Sequence, residues 1–201
     1  MQTLNIEQDD EEFEYSYTDC SPIFEPENGI GGLYLGNRKS SEDYPFFKAR
    51  KVKVILDMAG IQKKYPQDII EYAKSLNVID WHTYDLSAHF EECFDFINEH
   101  RTNGRSVLVH CMAGVSRSAA IVIGYIMKYH DMDLEKAFKF VRGKRSCIQP
   151  NHGFIEQLTA YQKQIEAKRK QLLEKQEEIK NKENELGNNN EGEPEQEQIN
   201  S

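Results

Sequence analysis

A cysteine followed at a fixed short distance by a glycine and then an Arg-Ser pair can bind and attack a phosphoryl group, and residues 106–118, SVLVHCMAGVSRS, hold that set. Val107 to Val109 read as a buried strand that delivers His110 and Cys111 at its end. Met112, Ala113, Gly114, Val115 and Ser116 form a loop, and Arg117-Ser118 opens an apolar helix. A loop between a strand end and a helix N-terminus points several backbone N–H groups into one concavity, which suits an anion. Gly114 permits the positive φ that such a curl needs. Arg117 supplies a planar fork able to hold two phosphoryl oxygens, so residues 112–117 are the expected phosphate site and Arg117 its clamp. Amide dipoles and a guanidinium favour the thiolate of Cys111. An ionised sulfur beneath a phosphoryl group is an in-line nucleophile, and its product is a phosphocysteine. Ser118 is placed to donate to that sulfur and help it leave. His110 is expected to bond nearby backbone and orient the cysteine.

These groups need a scaffold. Gly32 to Leu35, Val52 to Leu56 and Val107 to His110 have the β-branched and leucine character of buried strands. Asn77 to Ile79 is a weaker strand candidate, entered from a helix around Gln67 to Ser75. Asp85 is an N-cap candidate for a helix carrying Leu86, Phe90, Cys93, Phe94 and Ile97 up to the Asn103-Gly104 stop. Arg117 to Tyr129 is helical and apolar nearly all round, and Asp133 caps a further helix to Arg142, ended by Gly143. A last helix starts after Asn151 and runs through Phe154, Leu158 and Tyr161. Alternating strands and helices imply an α/β layered domain.

Composition divides the chain. Its formal charge is −9, but residues 1–19 carry seven acidic groups and no basic one, and residues 163–201 carry seven basic and ten acidic groups. The middle is left at about +1, which argues against nucleic-acid binding. Residues 1–25 are expected to form an acidic, disordered tail. Residues 26–162 form the folded domain, and residues 163–201 a charged helix fraying into a disordered end. Leu158, Ile165, Leu172, Ile179 and Leu186 repeat every seven residues, but Gln162, Arg169, Gln176 and Glu183 hold the companion position. A coiled coil wants both apolar. A solvated helix is the main reading, with weak self-association through this segment as the other.

No apolar run reaches the roughly 20 residues of a membrane span, and the opening residues lack the signature of a signal peptide. Cys20, Cys93, Cys111 and Cys147 show neither disulfide-framework nor metal-pair spacing. The expectation is a reduced location, cytoplasmic or nuclear, with no metal, no cofactor and no membrane partner.

His110, Cys111, Gly114, Arg117 and Ser118 match the HCxxGxxRS signature of the protein tyrosine phosphatase superfamily. The flanks AGVSRSAAIVIGYIM, GKRSCIQPNHGFIEQL and DLSAHFEECFDFI resemble dual-specificity phosphatases of the small atypical type, over roughly Gly29 to Tyr161. The resemblance implies an α/β fold with a central mixed sheet of about four to five strands flanked by helices. It also implies metal-free hydrolysis of phosphotyrosine and phosphoserine or phosphothreonine esters in phosphorylated protein substrates. It calls for one aspartic acid as proton donor, and Asp80 and Asp85 compete. The stretch Asp85-Leu86-Ser87-Ala88-His89-Phe90 matches the family's helix start, which puts the acid at Asp80. Asp85 is moreover engaged as a cap, while Asp80 follows a strand end, where functional loops emerge. Asn151 matches the family asparagine that supports the phosphate loop, and it is also a helix-cap candidate. Trp81 stands where many relatives carry a small residue and is a candidate for packing over the cleft. Two other readings stand beside this one: a phosphopeptide-binding scaffold, and a phosphatase for a non-protein ester. Against the latter, the loop holds no lysine to meet extra phosphates.

Overall fold

In chain order the regular elements are β1 (Cys20–Phe24), β2 (Leu33–Gly36), α1 (Tyr44–Arg50), β3 (Val52–Asp57), β4 (Tyr72–Ser75), α2 (Phe90–Thr102), β5 (Ser106–His110), α3 (Arg117–Tyr129), α4 (Leu134–Lys144) and α5 (His152–Asn188). This computed structural model describes residues 18–188. The expectations of disorder for the first 17 residues and for the stretch after Asn188 lie outside the described residues, as does the side chain of Leu186.

β5 is buried along its whole length, as a run of valines and leucine must be when both sheet faces are covered. It lies at the centre of a five-stranded sheet of order β1-β2-β5-β3-β4. β2, β5, β3 and β4 run parallel, and β1 closes one edge antiparallel to β2. Tyr34, Leu108 and Ile55 stand side by side across three strands and pack on Phe47 of α1, with Val52 and Ile70. The alternate residues point to the opposite face, where α2 lies against β5 and α3 against β2 and β5. Ser118 to Met127 of α3 are all buried. Because the four strands are parallel, the loops leaving β2, β3 and β5 emerge at one sheet edge, where α/β sheets place their ligands.

The structure differs from expectation at the sheet edges. Cys20–Phe24, assigned to the N-terminal tail, is a strand, so the ordered domain begins before residue 26. Its Pro22 is tolerated because an edge strand has a free side. The segment Gln67 to Ser75 holds no helix. Tyr72–Ser75 is strand β4, largely exposed and joined to β3 by a parallel ladder. Asn77 to Ile79 is no strand; Asn77 makes one isolated bridge to Ala59. Asp85 accepts from Ser87 Oγ (2.6 Å) and Ala88 N (3.3 Å), capping a short 3-10 turn, Ser87–His89, that leads into α2. The chain divides into one unit of residues 1–162 and another of residues 163–201, and α5 crosses that boundary. In the second unit Leu172, Leu173 and Ile179 are exposed. No helix among the described residues is long and apolar enough to cross a membrane.

Candidate active site

The loop after β5 is held by its carbonyls. Met112 O accepts from Arg38 N (3.1 Å) and Val115 O from Gln149 N (2.8 Å). Gly114 O accepts from Arg145 Nε (2.8 Å), and Ala113 O from Arg145 Nη2 (3.4 Å). Carbonyls turned outward leave the amides turned inward, and Gly114 N–H points at Cys111 Sγ, 3.2 Å away. Ser118 Oγ donates to the same sulfur at 3.2 Å. Gly114 has φ +68°, and a Cβ there would come within 2.6 Å of the Gly36 carbonyl; both conformation and space restrict this position to glycine.

Arg117, the first residue of α3, donates through Nη1 to Val78 O (3.0 Å). Its Nε is buried without a hydrogen-bond partner, facing Asp80 Oδ2 at 3.5 Å. The guanidinium is thus held at the head of α3 beside the loop, between the Val78 carbonyl and the Asp80 carboxylate. Asp80 is fixed through Oδ1, which accepts from Ser116 Oγ (2.6 Å) and Asn151 Nδ2 (2.9 Å), and its Oδ2 is turned to the Arg117 guanidinium. Asn151 N–H donates to Ser116 Oγ (3.1 Å), and Asn151 Oδ1 accepts from Phe154 N (3.0 Å). The asparagine therefore supports the loop and caps α5 at once.

His110 is fully buried, and neither ring nitrogen meets a partner of strict hydrogen-bond geometry, while the backbone of Cys111 pulls on the ring as a neighbouring hydrogen-bond group. Burial holds its pKa below the ordinary histidine value, against the opposing pull of Asp57, whose Oδ1 is 3.9 Å from Nε2. The backbone adds a tether: His110 O accepts from Met58 N (2.8 Å). Trp81 does not pack down; it is 59% exposed, with its ring against His82 at 5.0 Å. Cys93 is buried, and its thiol is pushed up to about 12.

Two contributors escaped sequence reasoning. Arg145 is 1% exposed and ties the loop to Thr18 O (2.7 Å) and Ser21 Oγ (3.2 Å). A basic residue among polar neighbours, in the quoted stretch GKRSCIQPNHGFIEQL, carried no pattern that marks burial. Gln157 of α5 accepts from Leu86 N (2.8 Å) and Ser87 N (2.9 Å) and donates to Tyr84 O (2.8 Å), fixing the segment that follows Asp80. No cluster of three or more potential metal ligands occurs among the described residues.

Residues 33–164 match the family model of the dual specificity phosphatase catalytic domain. Dual specificity protein phosphatase 1B of Arabidopsis thaliana is 38% identical over 133 residues, spanning 66% of this chain and 78% of that protein. Dual specificity protein phosphatase 22 of Mus musculus is 40% identical over 136 residues, 67% of this chain and 72% of the relative. Among solved structures, the human tyrosine phosphatase-like serine/threonine/tyrosine-interacting protein superposes with a TM-score of 0.62 at 32% identity, covering 71% of this chain and 94% of that one.

Proposed function

Since the chain belongs to the dual specificity phosphatase family and is a protein phosphatase domain, we propose that Cys111 is its nucleophile, Asp80 its proton donor and Arg117 its phosphate clamp. Cys111 Sγ attacks phosphorus, and the bond from phosphorus to the ester oxygen of a tyrosine, serine or threonine breaks. Asp80 Oδ2 gives its proton to that departing oxygen. Water then attacks the phosphocysteine, Asp80 recovers a proton from it, and the sulfur leaves as a thiolate stabilised by Ser118 Oγ and Gly114 N–H. Through this sequence the amides of residues 112–117 and the Arg117 fork hold the equatorial oxygens. Asn151 and Ser116 keep Asp80 in reach, and His110 holds position through its backbone.

One observation carries this reading: a sulfur at a helix N-terminus receives two donors, and the guanidinium at the head of that helix lies against the Asp80 carboxylate. Turnover of para-nitrophenyl phosphate by the wild type and its loss in Cys111→Ser is the expected result. Equal turnover by both proteins would refute the nucleophile. The likeness to a protein whose name describes an interacting, phosphatase-like molecule supports a second reading, a phosphopeptide-binding scaffold. That reading requires phosphopeptide binding without wild-type turnover.

The described cysteines Cys20, Cys93, Cys111 and Cys147 are free, which supports a reducing compartment, cytoplasmic or nuclear. The exposed Leu172 and Ile179, at 61% and 57%, support weak self-association of the 163–188 segment, which light scattering of the full chain and of a chain ending at Gln162 would detect. Neither a nucleic-acid nor a membrane partner enters this reading.

A further inference from the structure

The unit of residues 163–201 takes α5 on to Asn188, and its surface is not that of a helix made only for water. Such a helix is polar all round. This one repeats Ile165, Leu172 and Ile179 at seven-residue spacing, which keeps them on one face as in a helix pair. Leu172, its neighbour Leu173 and Ile179 are each more than half exposed. The charges of the same stretch are sorted by sign. Residues 163–175 hold five basic and two acidic groups, a net +3, and residues 177–189 hold two basic and four acidic groups, a net −2. The companion heptad position repeats that division, with Arg169, then Gln176, then Glu183. Pairing inside one helix needs opposite charges only three or four residues apart, as Lys170 and Glu174 are, at 3.9 Å. Separation into two blocks serves a contact between helices instead.

Orientation follows from the blocks. Two parallel copies in register would set Arg169 against Arg169, Glu183 against Glu183, and each basic half against another. Turned antiparallel, each basic half meets an acidic one, Gln176 stays near the middle, and the position of Arg169 in one copy comes beside that of Glu183 in the other. Charges flanking an apolar seam choose partner and orientation in this way. Two-fold symmetry makes the contact twice in each pair.

Resting on the self-association reading above, we propose that residues 163–188 are an interaction surface for a second copy of this chain, which docks antiparallel along the face of Ile165, Leu172 and Ile179. Only a few apolar side chains are covered, while pairing costs freedom of motion. The pair is therefore reversible, and its population rises with concentration.

Sedimentation equilibrium of the full chain tests this. The wild type should pass from monomer to dimer between about 10 μM and about 1 mM, the range of a weak association. Arg169→Glu and Glu183→Arg should each raise the dissociation constant by about tenfold, because two attractive contacts per pair become repulsive. The chain carrying both substitutions holds the same charges in exchanged places and should return toward the wild-type constant. Salt at about 0.5 M should narrow the gap between the single variants and the wild type. Leu172→Gln combined with Ile179→Gln should leave a monomer throughout. If Arg169→Glu pairs as tightly as the wild type, or if the double exchange stays as weak as the single ones, the antiparallel arrangement is overturned and self-association alone stands. If the wild type remains monomeric at about 1 mM, or if the chain with both glutamines still pairs, self-association through this segment falls as well.

Discussion

Asp80 and Asp85 share one short segment but meet different neighbours. Asp85 bonds Ser87 and Ala88 within its own turn, which holds its carboxyl below the usual carboxylate range. Asp80 is instead drawn to the loop by Ser116 and Asn151. Asp80→Ala should therefore lower kcat by about 10²- to 10⁴-fold, the usual loss for a missing acid–base group. Asp85→Ala should leave kcat within a few fold; steady-state assays of the two decide the assignment, and the opposite order would reverse it. Ser118 makes a second separable claim. Its hydroxyl bonds the sulfur, and the bond matters most when the thiolate departs. In Ser118→Ala the second step should slow by about ten- to hundredfold, the equivalent of a hydrogen bond to a charged group at about 1.5–3 kcal/mol. Rapid-quench kinetics should then show a burst of phenolate followed by slow turnover. Slowing without a burst would place the defect in the first step and remove Ser118 from this role.

Among the elements, α5 braces the segment that follows Asp80, the proposed acid, because Gln157 bonds Tyr84, Leu86 and Ser87. Gln157→Leu leaves two backbone donors without their acceptor, at a cost of about 1–3 kcal/mol for the amide of buried Leu86, while the exposed amide of Ser87 can turn to water. The segment carrying Asp80 should loosen while the phosphate loop stays intact. Hydrolysis of an alkyl phosphate, whose poor leaving group depends on the acid, should then fall more than that of para-nitrophenyl phosphate. Alkylation of Cys111 by iodoacetate should keep its rate; an equal fall for both substrates would sever α5 from the acid. This link could not be read along the chain, since a glutamine in a helix has no periodic signature. The elements that were legible are those whose burial fills a face. Val107 to Val109 and the apolar helix from Arg117 to Tyr129 declared themselves through side-chain character, and with them came Cys111, Gly114, Arg117 and Ser118. The edge strands were not legible. Tyr72–Ser75 is polar and exposed, so its strand state comes from the backbone ladder to β3, while Cys20–Phe24 follows an acidic stretch and carries a proline. Arg145 and the Ser116 bond to Asp80 depend on contacts between segments far apart in sequence, which spacing does not encode.

At the scale of the whole molecule, all the site groups lie in the unit of residues 1–162. A chain ending at Gln162 should thus keep kcat/KM on para-nitrophenyl phosphate within about twofold, and a large loss would show that the charged extension takes part in the site. Stability with pH tests the packing of the entire domain. His100, His110 and His130 each bury a ring nitrogen without a partner, and in all three burial holds the pKa below the ordinary histidine value. The folded state therefore prefers them neutral, and the unfolded chain binds more protons as pH falls through about 6.5. Stability must then be full above that pH and decline below it, toward the lowered folded values. The carboxylates held low by hydrogen bonds or ion pairs, Asp85, Glu92, Asp95 and Asp133, add a second loss only below about pH 4, so the two windows separate. Urea midpoints taken from about pH 8 to pH 5.5 should fall with acidity. His130→Phe, which keeps an aromatic ring against Phe24, 4.5 Å away, should shrink that fall by removing one of the three titrations. A midpoint that stays level or rises as the solution is acidified would mean that the buried rings accept protons without opening the core.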